Sequence, residues 1–377
     1  MSVFLRAAVI ILKTRRCEGE VSSFLMRRLL VYPFSYESLP LARYFESLEG
    51  YSKVIPVIEK RVGIPDGVDV AYLDGGAPTG LVVVSDFERA VQSVDDVLFT
   101  AEIRDEACFA VNFSMAKRLG KRILVCGDFS KRGGLDFKDC QVLSHSKRET
   151  EVDPTHRLRK IPVPVVLVTG LGQQCQKFDI QMCLRRKFQE ADYNVSQVGT
   201  KPFSSLFGFH ALPHFPDTPL WKKIVLYNRY FKDVVDSEDP DMLIVGAPGG
   251  VMPIDDRHSE LFGETAIAIS KSLSPDVAIV SVFQAKLDGE LLDGLGEMRN
   301  YFKYAMGSPL DYIHLSNTRQ VFESDLRSIS YMVTDSSRVF EGQEAVGDSF
   351  FNAFLADTVN TVSEKIMSRL QGNLEVF

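Results

Sequence analysis

Residues 165–181 read VVLVTGLGQQCQKFDIQ: an apolar run, a glycine-bearing loop, and a lysine at the head of an amphipathic segment. A continuous β-branched run of this kind, led in by Val163 and Pro164, reads as a strand buried on both faces of a parallel sheet. Beyond the loop, Ile180, Cys183, Leu184 and Phe188 share one helical face, so a helix is expected over 180–190. A strand that delivers a glycine loop onto a helix start makes a phosphate cradle. Unpaired amides and the positive end of the helix dipole face the anion, and a lysine adds a point charge.

The usual phosphate loop is spaced G-x-x-x-x-G-K-[ST], and this stretch departs from it. Gly170 stands seven positions before Lys177 and Gly172 five, where the pattern needs six. Gln176 replaces the second glycine, and Phe178 replaces the hydroxyl residue that would hold magnesium. The loop residues expected to meet a phosphate or nucleotide are Gly170, Gly172, Gln173, Gln176, Lys177, Phe178 and Asp179. The ligand expected on this basis is ATP or GTP with Mg²⁺, Asp179 or Gln181 substituting as a metal or water-mediated contact. The plainer reading is a tight β–α turn, with glycines for packing and an exposed lysine.

Two further segments converge on the same place. Residues 241–245 form an apolar strand that runs into Gly246, Gly249 and Gly250, followed by Asp255, Asp256, Arg257 and His258. In open parallel sheets ligands sit beyond the carboxyl ends of the strands, so Gly249 and Gly250 are expected to lean over the site. Asp255 and Asp256 join Asp179 as candidate metal ligands, against the plainer reading of a solvated helix start. Gly246 occupies the strand end where phosphate-loop proteins carry a magnesium-directed acid. Thr200 and Lys201 follow an expected strand over 194–198 and are placed to meet an anion. His210, His214 and Asp217 have metal-like spacing, but Pro213 and Pro216 prevent a continuous helix. A loop packed by its own phenylalanines is the plainer reading there. No Ser/His/Asp order, nucleophile elbow or H-E-x-x-H motif is present, and no catalytic residue is assigned.

Working outward, residues 26–127 alternate short apolar runs with amphipathic stretches, as in a parallel α/β unit. Strands are expected at 29–31, 81–84, 96–99 and 122–126, and helices at 40–48, 87–93 and 107–119. No G-x-G-x-x-G follows any of these strands, so a dinucleotide site there is unsupported. Residues 128–160 lose periodicity and are assigned to a linker; 161–377 form the second unit, with helices expected at 220–236 and 350–370. Residues 1–25 match no regular pattern and are read as an extension or a start-site artefact ahead of Met26. The fold class is therefore α/β: a Rossmann-like unit followed by a P-loop-NTPase-like parallel-sheet unit.

The 377 residues carry 43 Lys plus Arg against 50 Asp plus Glu, a net charge of −7, which argues against a broad nucleic-acid partner. A small anion held by local backbone amides remains compatible. Six scattered cysteines with no C-x-x-C pair point to reduced, mostly buried thiols and a cytoplasmic protein. The longest apolar run near the start, 7–12, is far short of the ~20 residues a membrane helix needs, so no membrane partner is expected.

Residues 170–181 (GLGQQCQKFDIQ), 195–200 (VSQVGT) and 206–213 (LFGFHALP), with 28–34 (RLLVYPF) and 72–76 (YLDGG), resemble a clostridial family of peptide maturation system proteins. The resemblance spans most of 26–370. It implies a place beside ribosomally synthesised peptides, with a precursor peptide and a radical-SAM-type maturase as partners. It implies no particular reaction. More remotely, the second unit is similar to dethiobiotin-synthetase-like P-loop proteins. The whole chain is also similar to a two-domain family that includes a D-glutamate N-acetyltransferase. Two other functions stay open on these resemblances: a scaffold or chaperone presenting a precursor peptide, and an acyltransferase or ligase acting on a small amino acid. Homo-oligomerisation is left open.

Overall fold

The computed structural model describes residues 26–60, 63–127, 129, 135–143, 157–322, 329–342 and 347–374, with side chains to 371 in the last helix. The expectations for 1–25, and for most of the 128–160 linker, lie outside these residues. Among the described residues the chain builds two all-parallel sheets and one small antiparallel hairpin.

The first sheet contains β1 (Arg27–Tyr32), β2 (Tyr51–Pro56), β3 (Asp96–Thr100), β4 (Arg122–Cys126) and β5 (Gln141–Leu143), in the order β2-β1-β3-β4-β5. This 2-1-3-4-5 order belongs to doubly wound α/β folds, whose ligands sit at the β1/β3 switch point. β5 falls in the stretch assigned to the linker and adds an edge strand to this sheet. The α-helices of this half are α1 (Leu39–Arg43), α2 (Phe87–Gln92) and α3 (Glu106–Arg118). Strand alternation sends Leu30, Tyr32, Val97 and Phe99 to one face, where Phe109 and Phe113 of α3 cover them. Leu29, Val31 and Leu98 point to the other face.

The second sheet runs β14-β11-β10-β6-β9-β7-β8, with β6 (Val165–Gly170) at its centre. Its partners are β7 (Val195–Gly199), β8 (His210–Ala211), β9 (Met242–Gly246), β10 (Val277–Val282), β11 (Tyr312–Leu315) and β14 (Phe350–Phe351). Every residue of β6, β9 and β10 is buried, as uninterrupted apolar runs require when helices cover both faces. Helix Lys177–Glu190, here α4, packs Ile180, Leu184 and Phe188 on one face beside Val359, Val362 and Ile366 of the last helix, Ala356–Leu374. Helices Leu220–Glu238 and Glu264–Leu273 cover the opposite face. β12 (Thr318–Phe322) and β13 (Ile329–Val333) form the hairpin.

The expected α/β class stands, and three local expectations are corrected. Residues 81–84 form isolated bridges instead of a core strand: Val84 pairs with Val57 and Val82 with Asp69, and only Val83 is buried. The helix over 40–48 stops at Arg43, because Tyr44 leaves helical geometry and a 3-10 turn takes over from Phe45 to Ser47. Phe350 and Phe351 pair with β11, so the last helix begins at Ala356.

The two sheets share a core. Phe178 and Met182 of α4, with Phe203, Leu206, Phe207 and Phe209 from the segment after β7, join the cluster formed by Leu29, Val31 and Leu98. Leu39, Leu41 and Ala42 of helix Leu39–Arg43 join the same cluster, so this face of the first sheet is covered jointly by its own short helix and by the second half of the chain.

Candidate functional site

The loop after β6 lies between β9 and β10, where the chain's path changes direction across β6, the position at which open sheets bind ligands. The loop after β1 lies at the equivalent point of the first sheet. A cavity of about 260 Å³ opens between them, lined from the first half by Tyr36, Glu37, Leu39, Pro40 and Asp74. From the second half come Gln173, Gln176, Lys177, Phe178, Asp179, Thr200, Lys201, Pro202, Pro248 and Gly249. Eight residues singled out from the sequence thus meet in one place: Gln173, Gln176, Lys177, Phe178, Asp179, Thr200, Lys201 and Gly249.

At the helix start, Gln176 caps α4 in the left-handed region at φ 57°, the conformation that favours glycine and that a phosphate loop fills with its second glycine. A non-glycine residue there costs roughly 1–2 kcal/mol, so its side chain has to be held. Its Oε1 accepts the Asn317 amide at 2.7 Å, while Nε2 is buried with no hydrogen-bond partner among the described residues. Lys177 is 6% exposed; its ammonium donates to the carbonyls of Gly172 and, at 2.6 Å, Gly249. The lysine ties the two glycine loops together with two of its three protons.

The glycines serve close approach. A Cβ on Gly170 would stand 2.4 Å from Cys175 Sγ, and one on Gly172 2.9 Å from the Phe283 ring. Gly249 takes φ +70° and lines the cavity, whereas Gly250 donates its amide to Glu260 at 2.8 Å.

Carboxylates crowd the far wall. Asp179 lies in the first turn of α4, accepts Tyr44 OH at 2.8 Å, and burial raises its carboxyl to about 7. Asp74 forms a bidentate pair with Arg43, its Oδ2 accepting Arg43 Nε at 2.7 Å, and burial raises it too. Lys201 ion-pairs with Glu37 across the two halves, yet burial pushes its ammonium down to about 8. Tyr36 OH donates to the Gln174 carbonyl at 3.3 Å. Sequence reading missed Tyr36, Glu37 and Asp74; the signal available was that Tyr36 and Glu37 follow the first buried strand at its carboxyl end.

A magnesium site of the phosphate-loop kind does not fit these residues. Phe178 turns its ring into a cluster with Phe203, Phe207 and Phe209 instead of presenting a hydroxyl. At the strand end, a Cβ on Gly246 would meet Gln181 Nε2 at 2.2 Å, so Gln181 fills the space an acid would occupy. Asp255 accepts the amides of Arg257 and His258 and pairs with the His258 ring, and Asp256 stands exposed beside it; neither lines the cavity with Asp179. No group of three or more His, Cys, Asp or Glu suited to a metal forms among the described residues. His210 pairs instead with Glu238 at 2.6 Å.

A second cavity, of about 450 Å³, adjoins the first and shares Gln173, Thr200, Pro248 and Gly249 with it. Among the described residues, no helix is long and apolar enough to cross a membrane.

This strand–loop–helix unit, set against a second doubly wound sheet, defines a two-sheet parallel α/β protein. Its overall arrangement is similar to the crystal structure of a DUF1611 family protein from Anabaena variabilis, at 13% identity and TM-score 0.53 over 77% of this chain and 88% of that one. Lower similarity reaches a nucleotide-binding protein in complex with ADP from Archaeoglobus fulgidus (11% identity, TM-score 0.30, 53% of this chain and 85% of that one). It also reaches a GTPase from Pyrococcus abyssi in apo form (14%, 0.27, 40% and 66%). No family model and no curated protein matches the chain.

Proposed function

We propose that the chain binds a phosphorylated small molecule, in the first instance ATP or GTP, in the cleft between the loops after β1 and β6. The observation that carries this reading is the start of α4. A left-handed Gln176 with an unpartnered buried amide, a lysine with one uncommitted proton and Lys201 all border one cavity at the carboxyl end of the central strand. The free amides of the first turn and the helix dipole add to them. In this reading Lys177, Lys201 and the α4 amides hold the phosphate, and Gln173, Thr200 and Gly249 close over it. No metal-dependent step is assigned, since Phe178 and Gly246 stand where the metal contacts would be.

Calorimetric titration with ATP and GTP, with and without Mg²⁺, tests this. Binding is expected either way, with affinities within about threefold because no protein group is set to coordinate the metal. Losing a charge-assisted contact in Lys177→Ala should weaken binding by about tenfold or more. Lys201→Ala should also weaken it without disturbing the Lys177 bridge between the loops. No binding to the unaltered protein, or binding indifferent to both lysines, sinks the reading.

The place of this binding in the maturation of a ribosomally made peptide rests on the family resemblance. A second reading, a non-catalytic scaffold that presents a precursor peptide to a radical-SAM-type maturase, is favoured by the ring of Phe178 and the Gln181-filled strand end. Both remove parts that nucleotide hydrolysis uses. Capture of the precursor peptide with equal affinity by the unaltered protein and Lys177→Ala would favour the scaffold.

A further inference from the structure

The cleft is larger than a phosphate requires, and its second arm has a different chemistry from the first. Leu212, Pro213, Tyr227 and Leu261 give that arm apolar walls, His214, Ser259 and Thr265 line it with polar groups, and Glu260 places a carboxylate among them. One oxygen of Glu260 accepts the Gly250 amide at 2.8 Å. No lysine, arginine or histidine ion-pairs with it among the described residues, although the residue is half-buried. A carboxylate set among apolar walls offers a charge-assisted contact to a ligand that brings a cation.

The backbone is committed to holding this group in place. Glu260, Leu261 and Phe262 take φ values of 44°, 53° and 54° in succession, and Gly263 follows at 71°. Consecutive left-handed L-residues cost roughly 1–2 kcal/mol each, and persist where the surroundings over-determine them. The result is that the Glu260 carboxylate lies beside Gly249 and Gly250, and the Leu261 side chain, 68% exposed, stands at the rim.

We infer that the second arm is a subsite for a primary amine on an apolar skeleton, its ammonium against Glu260 and its carbon body against Leu212, Pro213, Tyr227 and Leu261. Amino compounds with aliphatic or aromatic side chains are the class it fits. The two arms share the wall formed by Gln173, Thr200, Pro248 and Gly249, so the amine would lie next to the anion held by Lys177. This pairing of anion and amine rests on the reading above, whereas the amine arm itself does not.

The test is titration of the full chain with phenethylamine and, in parallel, 2-phenylethanol and 3-phenylpropionate, followed by the methyl signals of Leu212 and Leu261. Phenethylamine is expected to shift both signals and to bind at least about tenfold more tightly than the alcohol, the gain of a charge-assisted contact. The carboxylate should bind least. Glu260→Gln keeps an acceptor for Gly250 and should reduce the amine to the affinity of the alcohol. Equal affinity of amine and alcohol overturns the inference even if no variant folds, as do methyl shifts confined to other residues or an unchanged amine affinity in Glu260→Gln. ATP titrated into the same sample separates the two proposals. Amine binding without ATP binding leaves the subsite and removes the phosphate reading; the converse removes the subsite alone.

Discussion

At the scale of single residues, the cleft is held by groups whose ordinary chemistry is altered by burial. Asp179 is the clearest case. It sits 6% exposed at the head of α4, where a carboxylate ordinarily favours the helix dipole. Desolvation outweighs that and raises its carboxyl to about 7, helped by the charge of Asp74 and opposed by the Tyr44 hydroxyl. The folded chain therefore keeps this proton between about pH 4 and 7, where an unfolded aspartate has lost it. Stability contributed by the neutral carboxyl is complete below about pH 4 and is lost as pH rises through 7. Asp179→Asn retains an acceptor for Tyr44 and should abolish this fall. In urea unfolding, the variant is expected to gain on the unaltered protein between about pH 4 and 7, by up to about 4 kcal/mol at one pKa unit per 1.4 kcal/mol, and to gain no more above that. An equal pH slope in both proteins would show that Asp179 ionises freely. Glu260 has no ion pair with a lysine, arginine or histidine among the described residues, and the proposed amine would supply the cation.

At the scale of elements, the strand–loop–helix unit was legible in the sequence, and its details explain what was not. The apolar run at 163–168, the glycines and the spacing of Ile180, Leu184 and Phe188 place β6, the turn and α4 without tertiary information. The motif spacing was also read correctly as irregular, but its physical reason lies in neighbours that no local pattern reveals. Gln176 takes the left-handed geometry of the missing glycine because Asn317, 141 residues away, holds its side chain. Gly246 has no side chain because Gln181 occupies the space. Val82 and Val84, read as a buried strand from their β-branching, meet only isolated bridge partners, since burial on both faces needs a sheet to join. Gly170 provides a test of this packing. Its added Cβ would press on Cys175 Sγ at 2.4 Å, against 3.1 Å for Lys177 Cδ. Gly170→Ala should cost about 1–3 kcal/mol as overpacking. Cys175→Ala removes the sulfur, so the double variant should recover part of that loss, a coupling that thermal unfolding of the full cycle would measure. Strict additivity would mean that the strain is relieved elsewhere.

At the scale of the whole molecule, the parallel α/β class was legible from the alternation of strands and helices, but the surface that joins the two sheets was not. Phe203, Phe207 and Phe209 read as a loop packed by its own rings. They do pack on one another and on Phe178, and they also close the core of the first sheet. Polar contacts cross the same boundary: Tyr44 to Asp179, Tyr36 to the Gln174 carbonyl, Lys201 to Glu37, and Asn317 Nδ2 to the Asp74 carbonyl at 2.8 Å. Of these residues Tyr36, Glu37, Asp74, Asp179 and Lys201 border the cleft, so the cleft exists only while both halves are folded and docked. Two sheets with independent cores would melt separately; two sheets that share buried aromatics should melt together. A single calorimetric transition is therefore expected for the full chain. Phe207, 2% exposed within the shared cluster, is the place to perturb it. Phe207→Ala should destabilise by about 3–5 kcal/mol, the usual cost of deleting a buried ring, and should lower that one transition as a whole. A ligand bound in the cleft should raise it as a whole, because binding favours only the docked state. Two resolved transitions, with Phe207→Ala moving just one of them, would show that the halves fold independently.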